Sequence, residues 1–404
     1  MRVTFCEHIA LAITRLLRSR SPAASALTDP RARTDLEPLD ISPRKRLTKN
    51  AFYSDLPSIG IPFSATTSIC IAVTDAPSRL HSRHTTSRIY ASGLPERSFV
   101  RVDDGVVISC PELLFVEMGS KMLFVQHLML GHELCGGFSR SADDPRSGDV
   151  AYGCRPVTSV NAIRSFIGQT KHIRGRKAAL HTLDVLEDGA WSPMESLVAA
   201  FMRLPLGHFG YNMGALRLNQ RVFAPHELLA AAEKESRVPD ILLAGTPVGI
   251  NYDGMAHLDL AAIAKSALKA GIANGKDPSA EAHRELARTM RSVREKAVDD
   301  VRRNRELAAD GLTVFPITKE DLREKGGLDR VMRQVVESIE RTSSLDMVRT
   351  HKALANRNLC DMRQQLIWAL LPDRGEPRYP ASKLAVRNAA SGGLDTVYVA
   401  VVSI

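Results

Sequence analysis

Over residues 192–339 the spacing of apolar side chains switches between the helical and the strand period in an order that restricts the fold more than any other feature. Ser192-Pro193-Met194-Glu195 opens a helix, with serine as cap, proline at the first helical position and glutamate three residues after the cap. After a glycine-rich loop at 207–214, strand-like runs follow at 215–223, 241–244 and 247–252. The stretch 258–309 reads as helix, with Met290, Val293, Ala297 and Val301 on one stripe, and Gly311 suits its C-terminal cap. A buried-type strand at 312–318 and a helix at 327–339 close the series. Helix, three strands, long helix, strand and helix predict an α/β (α+β) domain over 192–342 with an αβββαβ core.

The rest of the chain is organised around that domain. Residues 68–73 and 88–91 read as strands, and 99–109 as a hairpin turning at Asp103-Asp104-Gly105. Leu114, Met118, Met122 and Val125 predict one helix over 111–130, followed by a polar loop. Two further helices are expected at 158–167, capped by Ser159, and at 175–186. These elements give a smaller mixed α+β domain at 58–150, a helical bridge at 151–191, and a C-terminal helix and tail at 343–404.

At 404 residues, with 44% hydrophobic and 25% charged residues, the chain has the balance of a globular protein. It contains no apolar run of 18 residues, and Glu7, His8 and Arg15 interrupt the N-terminal stretch, so neither a spanning helix nor a signal peptide is expected. A cytoplasmic protein without a membrane partner is the reading. Six cysteines without a C-x-x-C pair offer neither a zinc site nor a disulfide framework. The formal charge of +9 favours polyanionic partners, because Lys and Arg release counterions from phosphates. Much of that charge falls in residues 1–57, where Arg15, Arg18, Arg20, Arg31, Arg33, Arg44, Lys45, Arg46 and Lys49 read as a basic, disordered arm. A second basic patch comprises Lys171, Arg174, Arg176 and Lys177.

The stretches SPMES, PDILLAGTPVGINYDGMAH and DDVRRNRELAADGLTVFPIT resemble the Vsr-like, restriction-endonuclease-like (PD-(D/E)XK) domain of uncharacterised bacterial proteins, some labelled AbiEi antitoxin-like. The resemblance, which extends over about two thirds of the chain, implies a glutamate on the first helix, matched by Glu195, and a strand aspartate, matched by Asp240. It implies Glu-x-Asp-Gly with a nearby histidine at the end of the third strand. Asp253 and His257 match, but Asn251 stands where the central glutamate belongs. Asp300 and Arg303 match an aspartate and an arginine of the later helix, and the long interval after His257 implies a helical insertion at about 258–298.

Such a site would hold Mg2+ against a scissile phosphate with carboxylates from adjacent strand ends. Asp240 and Asp253 would be the metal ligands, Glu195 would support them, and His257 would position or activate water. Asn251 supplies an amide where a charge is expected, so two readings stay open: a Mg-dependent endonuclease, and a non-catalytic nucleic-acid-binding regulator or antitoxin with a partner toxin. DNA is the favoured nucleic acid, contacted by the 171–177 patch, the arm, Arg302 and Arg303. Each residue also has a plain structural role open to it: Glu195 as a helix cap, Tyr252-Asp253-Gly254 as a turn, and Asp299, Asp300, Arg302 and Arg303 as a solvated helix face.

Overall fold

The computed structural model describes residues 3–21, 25–38, 68–80, 85–223, 236–253 and 280–372. It is a mixed α+β protein that divides by internal contacts into two units, Met1–Asn212 with Ala369–Ile404, and Met213–Trp368. Helix 193–203, expected to open the second domain, belongs by contacts to the first unit. Among the described residues no helix is long and apolar enough to cross a membrane.

The first unit begins with β1 (Val3–Phe5), α1 (Glu7–Arg20), α2 (Ser25–Thr28) and β2 (Arg33–Thr34). It continues with β3 (Ile69–Val73), β4 (Thr85–Ile89), β5 (Phe99–Asp103) and β6 (Val106–Ser109). These strands form one sheet in the order β2-β5-β6-β1-β3-β4, with β1 parallel to β6 and antiparallel to β3. β5 and β6 are the expected hairpin, and Gly105 at φ 79 supplies the left-handed turn residue.

The expected disordered arm is corrected here for its described part. β1 lies inside the sheet, and Ile9, Ala10 and Ile13 of α1 are buried. Arg15 makes a two-pronged ion pair with Glu133, its Nε at 2.9 Å and its terminal nitrogen at 2.8 Å from the two carboxylate oxygens. Arg18, fully buried, donates to the carbonyls of Glu133, Gly136 and Arg155 at 2.6, 2.8 and 3.3 Å. These guanidiniums replace water with protein partners, so they are part of the interior rather than contacts for phosphate. Arg44, Lys45, Arg46 and Lys49 lie outside the described residues.

The single helix expected at 111–130 is two, α3 (Pro111–Met118) and α4 (Phe124–Leu134). Gly119 and Ser120 favour the interruption by propensity, and Gln126 Oε1 accepts the Leu123 N–H at 3.2 Å to restart the helix. The hairpin β7 (Phe138–Ser139) and β8 (Ala151–Tyr152) precedes α5 (Val160–Gln169), α6 (Arg176–Leu183) and α7 (Pro193–Arg203). Gly175, before α6, has φ 94, and a Cβ there would lie 2.0 Å from the Val116 carbonyl oxygen.

The second unit contains β9 (Leu216–Leu218), β10 (Val222–Phe223), β11 (Ser236–Arg237), β12 (Ile241–Leu243) and β13 (Val248–Asp253). There follow α8 (Ala280–Ala309), β14 (Thr313–Thr318), α9 (Lys319–Arg323), α10 (Gly327–Thr342), α11 (Val348–Ala355) and α12 (Arg357–Leu370). Its main sheet runs β14-β13-β12-β9; β9, β12 and β13 are successively antiparallel, and β14 is parallel to β13. Ile250 and Asn251 project to opposite faces of β13 yet are each 1% exposed, so both faces of this strand are covered. Gly311, at φ 80, ends α8 as its position predicts. Of the stripe expected on α8, Met290 and Val301 are exposed, whereas Leu307 is fully buried. Of residues 258–298 only 280–298 are described, and they belong to α8.

Candidate functional site

At the end of β13, the second unit gathers Asp240, Asn251 and Tyr252. The antiparallel register pairs Ile241 with Ile250, so position 240 stands opposite 251 and shares its face of the sheet. Alternation puts position 253 on that face as well, and the parallel register pairs it with Thr318. Two reciprocal bonds tie the strands: the Asp240 N–H donates to Asn251 Oδ1 at 3.1 Å, and the Tyr252 N–H donates to Asp240 Oδ2 at 2.6 Å. Asn251 Nδ2 then donates to Oδ1 of Asn304, on α8, at 3.4 Å.

This geometry gives a physical reason for an amide at position 251. The side chain must accept from Asp240 and donate to Asn304 at once, and a carboxylate can only accept. Buried at 1% exposure, an ionised glutamate there would also need compensating positive charge. Asn251 is therefore a clasp between two strands and a helix.

A second network lies on β11 and α8. Arg237, 5% exposed, donates to Glu306 at 2.5 Å and to Asp299 at 2.9 Å. The Glu306 bond comes first among the causes that push its guanidinium above its ordinary value, with Asp299 adding to it. Asp299 and Glu306, seven residues apart on one helix face, both pair with Arg237; the Glu306 side chain is largely buried, whereas that of Asp299, 46% exposed, remains on the solvated face. Asp300 pairs with Arg303 at 3.3 Å, and Arg302 is exposed. Asn304 and Arg237 were not singled out in the sequence: nothing in their local text announces a partner 53 or 62 residues away.

The remaining expected site residues do not join this group. Glu195 lies in the first unit, where Ser192 Oγ accepts its N–H at 3.2 Å and its Oε2 accepts the Trp191 N–H at 3.1 Å. It caps α7, with its carboxylate on the residue before the cap rather than on the cap itself. Of Asp253 only the backbone is described, and His257 lies outside the described residues. Lys171, Arg174 and Lys177 are exposed on the first unit, Arg176 is half-buried, and the Arg174 carbonyl accepts from Arg88 at 2.8 Å.

For Mg2+, a hard cation that seeks an octahedron of oxygens, the described donors supply one carboxylate and one amide. Asp240 Oδ2 and Asn251 Oδ1 both already accept backbone N–H groups. Among the described residues no group of three or more His, Cys, Asp or Glu side chains is placed to hold a metal ion. The described donor set alone does not fit a nuclease metal, and no hydrolytic step is derived from it. Compared with protein-family models, curated proteins and solved structures, the chain matches none of them.

Proposed function

We propose that the chain binds nucleic acid, DNA in the first place, and that its second unit is a restriction-endonuclease-like domain whose cleavage chemistry is impaired at position 251. The reading is supported by the succession of a β9-β12-β13 meander, the helix α8 and a β14 strand parallel to β13. An αβββαβ domain calls for that order after its first helix, and the helix expected in that place, α7, belongs by contacts to the first unit. The observation that carries it furthest is the Asp240–Asn251 pair across two adjacent strand ends, where a nuclease of this class needs two carboxylates. An amide in one of the two places keeps the geometry and lowers the charge available to a metal.

The chain's formal charge of +9 supplies the attraction to phosphate. Exposed Lys171, Arg174 and Lys177 on the first unit and Arg302 on the second are the contacts proposed. Binding to short duplex DNA, followed by fluorescence anisotropy, is expected at 50 mM salt and to weaken by orders of magnitude by about 200 mM if six or more phosphates are contacted. The variant Lys171→Glu/Arg174→Glu/Lys177→Glu should lose most of that affinity. Absence of binding at 50 mM salt, or binding insensitive to salt, rejects the proposal.

A further inference from the structure

We propose that a cavity in the first unit, lined by Tyr152, Trp191, Ser192 and Glu195, binds a guanine base. Its volume is about 500 Å3, within the range of small-molecule sites, and its other walls include the backbone of Gly137, Gly153 and Gly189. Tyr152 and Trp191 are 62% and 51% exposed, and among the described residues of this unit they are the only large hydrophobic side chains so exposed. Both line this one cavity. Two amphipathic aromatic rings exposed at one opening each offer a flat apolar face to a ligand.

The local backbone is built to hold Trp191 there. The Gly137 N–H donates to the Ala190 carbonyl at 2.7 Å, and the Gly189 N–H donates to the Cys135 carbonyl at 3.1 Å. A Cβ on Gly137 would come within 3.3 Å of the indole carbon Cδ1, so glycine leaves the ring its seat. Tyr152 is carried by β8, whose partner residue across the hairpin is the buried Phe138.

Polarity then selects the ligand. Glu195 is 9% exposed, and its Oε2 is fixed by the Trp191 N–H at 3.1 Å. A carboxylate has about four lone-pair positions, so it can accept further donors from a ligand while keeping that bond. Glu195 is the one carboxylate among the lining side chains, and an ionised carboxylate only accepts, so it calls for an edge carrying adjacent N–H groups. Guanine presents two such donors side by side, its ring N–H and its amino group; adenine and cytosine present an amino group beside an acceptor. A charge-assisted pair of that kind is strong and directional. Stacking on an aromatic ring adds roughly 5- to 150-fold in affinity per base. Arg155, exposed between the lining residues Cys154 and Pro156, adds a positive charge for the attached phosphate. The choice of a base over a sugar rests on the nucleic-acid reading above.

The test is calorimetric titration of the full chain, at low salt, with GMP, AMP, CMP and UMP, and with ten-nucleotide single strands that contain or lack guanine. GMP should bind at least tenfold more tightly than the other three. Tyr152→Ala, at an exposed position, should weaken GMP about tenfold without altering the melting temperature. Glu195→Gln, which keeps an acceptor for the cap but brings a donor into the cavity, should erase the preference for guanine. Equal binding of GMP and AMP, or no GMP binding at millimolar concentration, overturns the inference. Oligonucleotides that bind regardless of guanine overturn it too, while leaving the nucleic-acid reading intact. Guanine-selective mononucleotide binding with no oligonucleotide binding does the reverse: it supports this site and removes that reading.

Discussion

Arg15→Met is the substitution that separates an interior role for the N-terminal basic residues from a role in phosphate contact. Methionine preserves much of the aliphatic stem but removes both bonds to Glu133, at 2.9 and 2.8 Å, leaving a carboxylate that is 1% exposed with the Arg140 N–H at 3.0 Å. Breaking one side of a buried pair costs up to about 3–5 kcal/mol, the nearby Arg18 and Arg140 compensating part of the charge that remains. With a urea slope of about 2–3 kcal/mol per molar, the unfolding midpoint read by circular dichroism should fall by roughly 1–2 M. The effect should also depend on pH. Burial by itself raises the Glu133 carboxyl, but Arg15, with Arg140 adding to it, more than offsets this and holds the group below its ordinary value. A depressed carboxylate stabilises the fold above its unfolded value and loses that contribution as pH falls through the folded one. Without Arg15 the carboxyl rises, so the deficit should be greatest near pH 7 and shrink toward pH 5. A midpoint change under about 0.3 M at pH 7 would refute the buried-pair account and return Arg15 to a solvated arm.

Two further perturbations probe the first unit. Burial holds His127 at about 4, against an ordinary 6.5, with its ring nitrogens within 2.8 Å of Thr182 Oγ1 and the Phe115 carbonyl. The unfolded chain therefore binds the extra proton first, and stability present above pH 6.5 should decline toward pH 4 by on the order of 3 kcal/mol for this residue; urea melts at pH 7 and 4.5 measure it, and His127→Gln should flatten the slope. Gly175→Ala should lose at least about 2 kcal/mol, since φ is 94 and the new methyl would meet the Val116 carbonyl at 2.0 Å. A melting temperature within a degree of the natural protein would contradict that packing.

Local features with a short-range cause were legible in the sequence. The hairpin of β5 and β6 follows from alternation and Gly105, the start of α7 from Ser192 and Pro193, and the end of α8 from Gly311. Features that depend on distant partners were not. Serine, proline and arginine made the N-terminal region read as a solvated arm, although Ile9 and Ile13, four apart, already marked a buried helix face. Neither Arg15 nor Arg18 signals in its own text that Glu133 and Gly136 stand 118 residues away. The apolar stripe across 111–130 concealed the break at Gly119, because burial on several sides keeps both halves apolar. In the candidate site, Asn251 was visible as the departure from a paired-carboxylate pattern. Its reason, the simultaneous bonds to Asp240 and Asn304, becomes apparent only when α8 is brought over β13.

On the proposed reading, the amide at position 251 leaves Asp240 without the second carboxylate that a nuclease metal needs, and divalent-cation binding tests this most directly. Isothermal titration of the natural protein with Mn2+ should give weak or no binding. Asn251→Asp, which keeps the shape of the side chain, and Asn251→Glu, which restores the expected length, each add a charged oxygen ligand and should tighten binding at least tenfold. Adding Asp240→Asn to either should abolish the gain, with circular dichroism confirming that every variant is folded. Mn2+ affinities equal in the natural protein, both position-251 variants and the Asp240→Asn combinations would contradict the account.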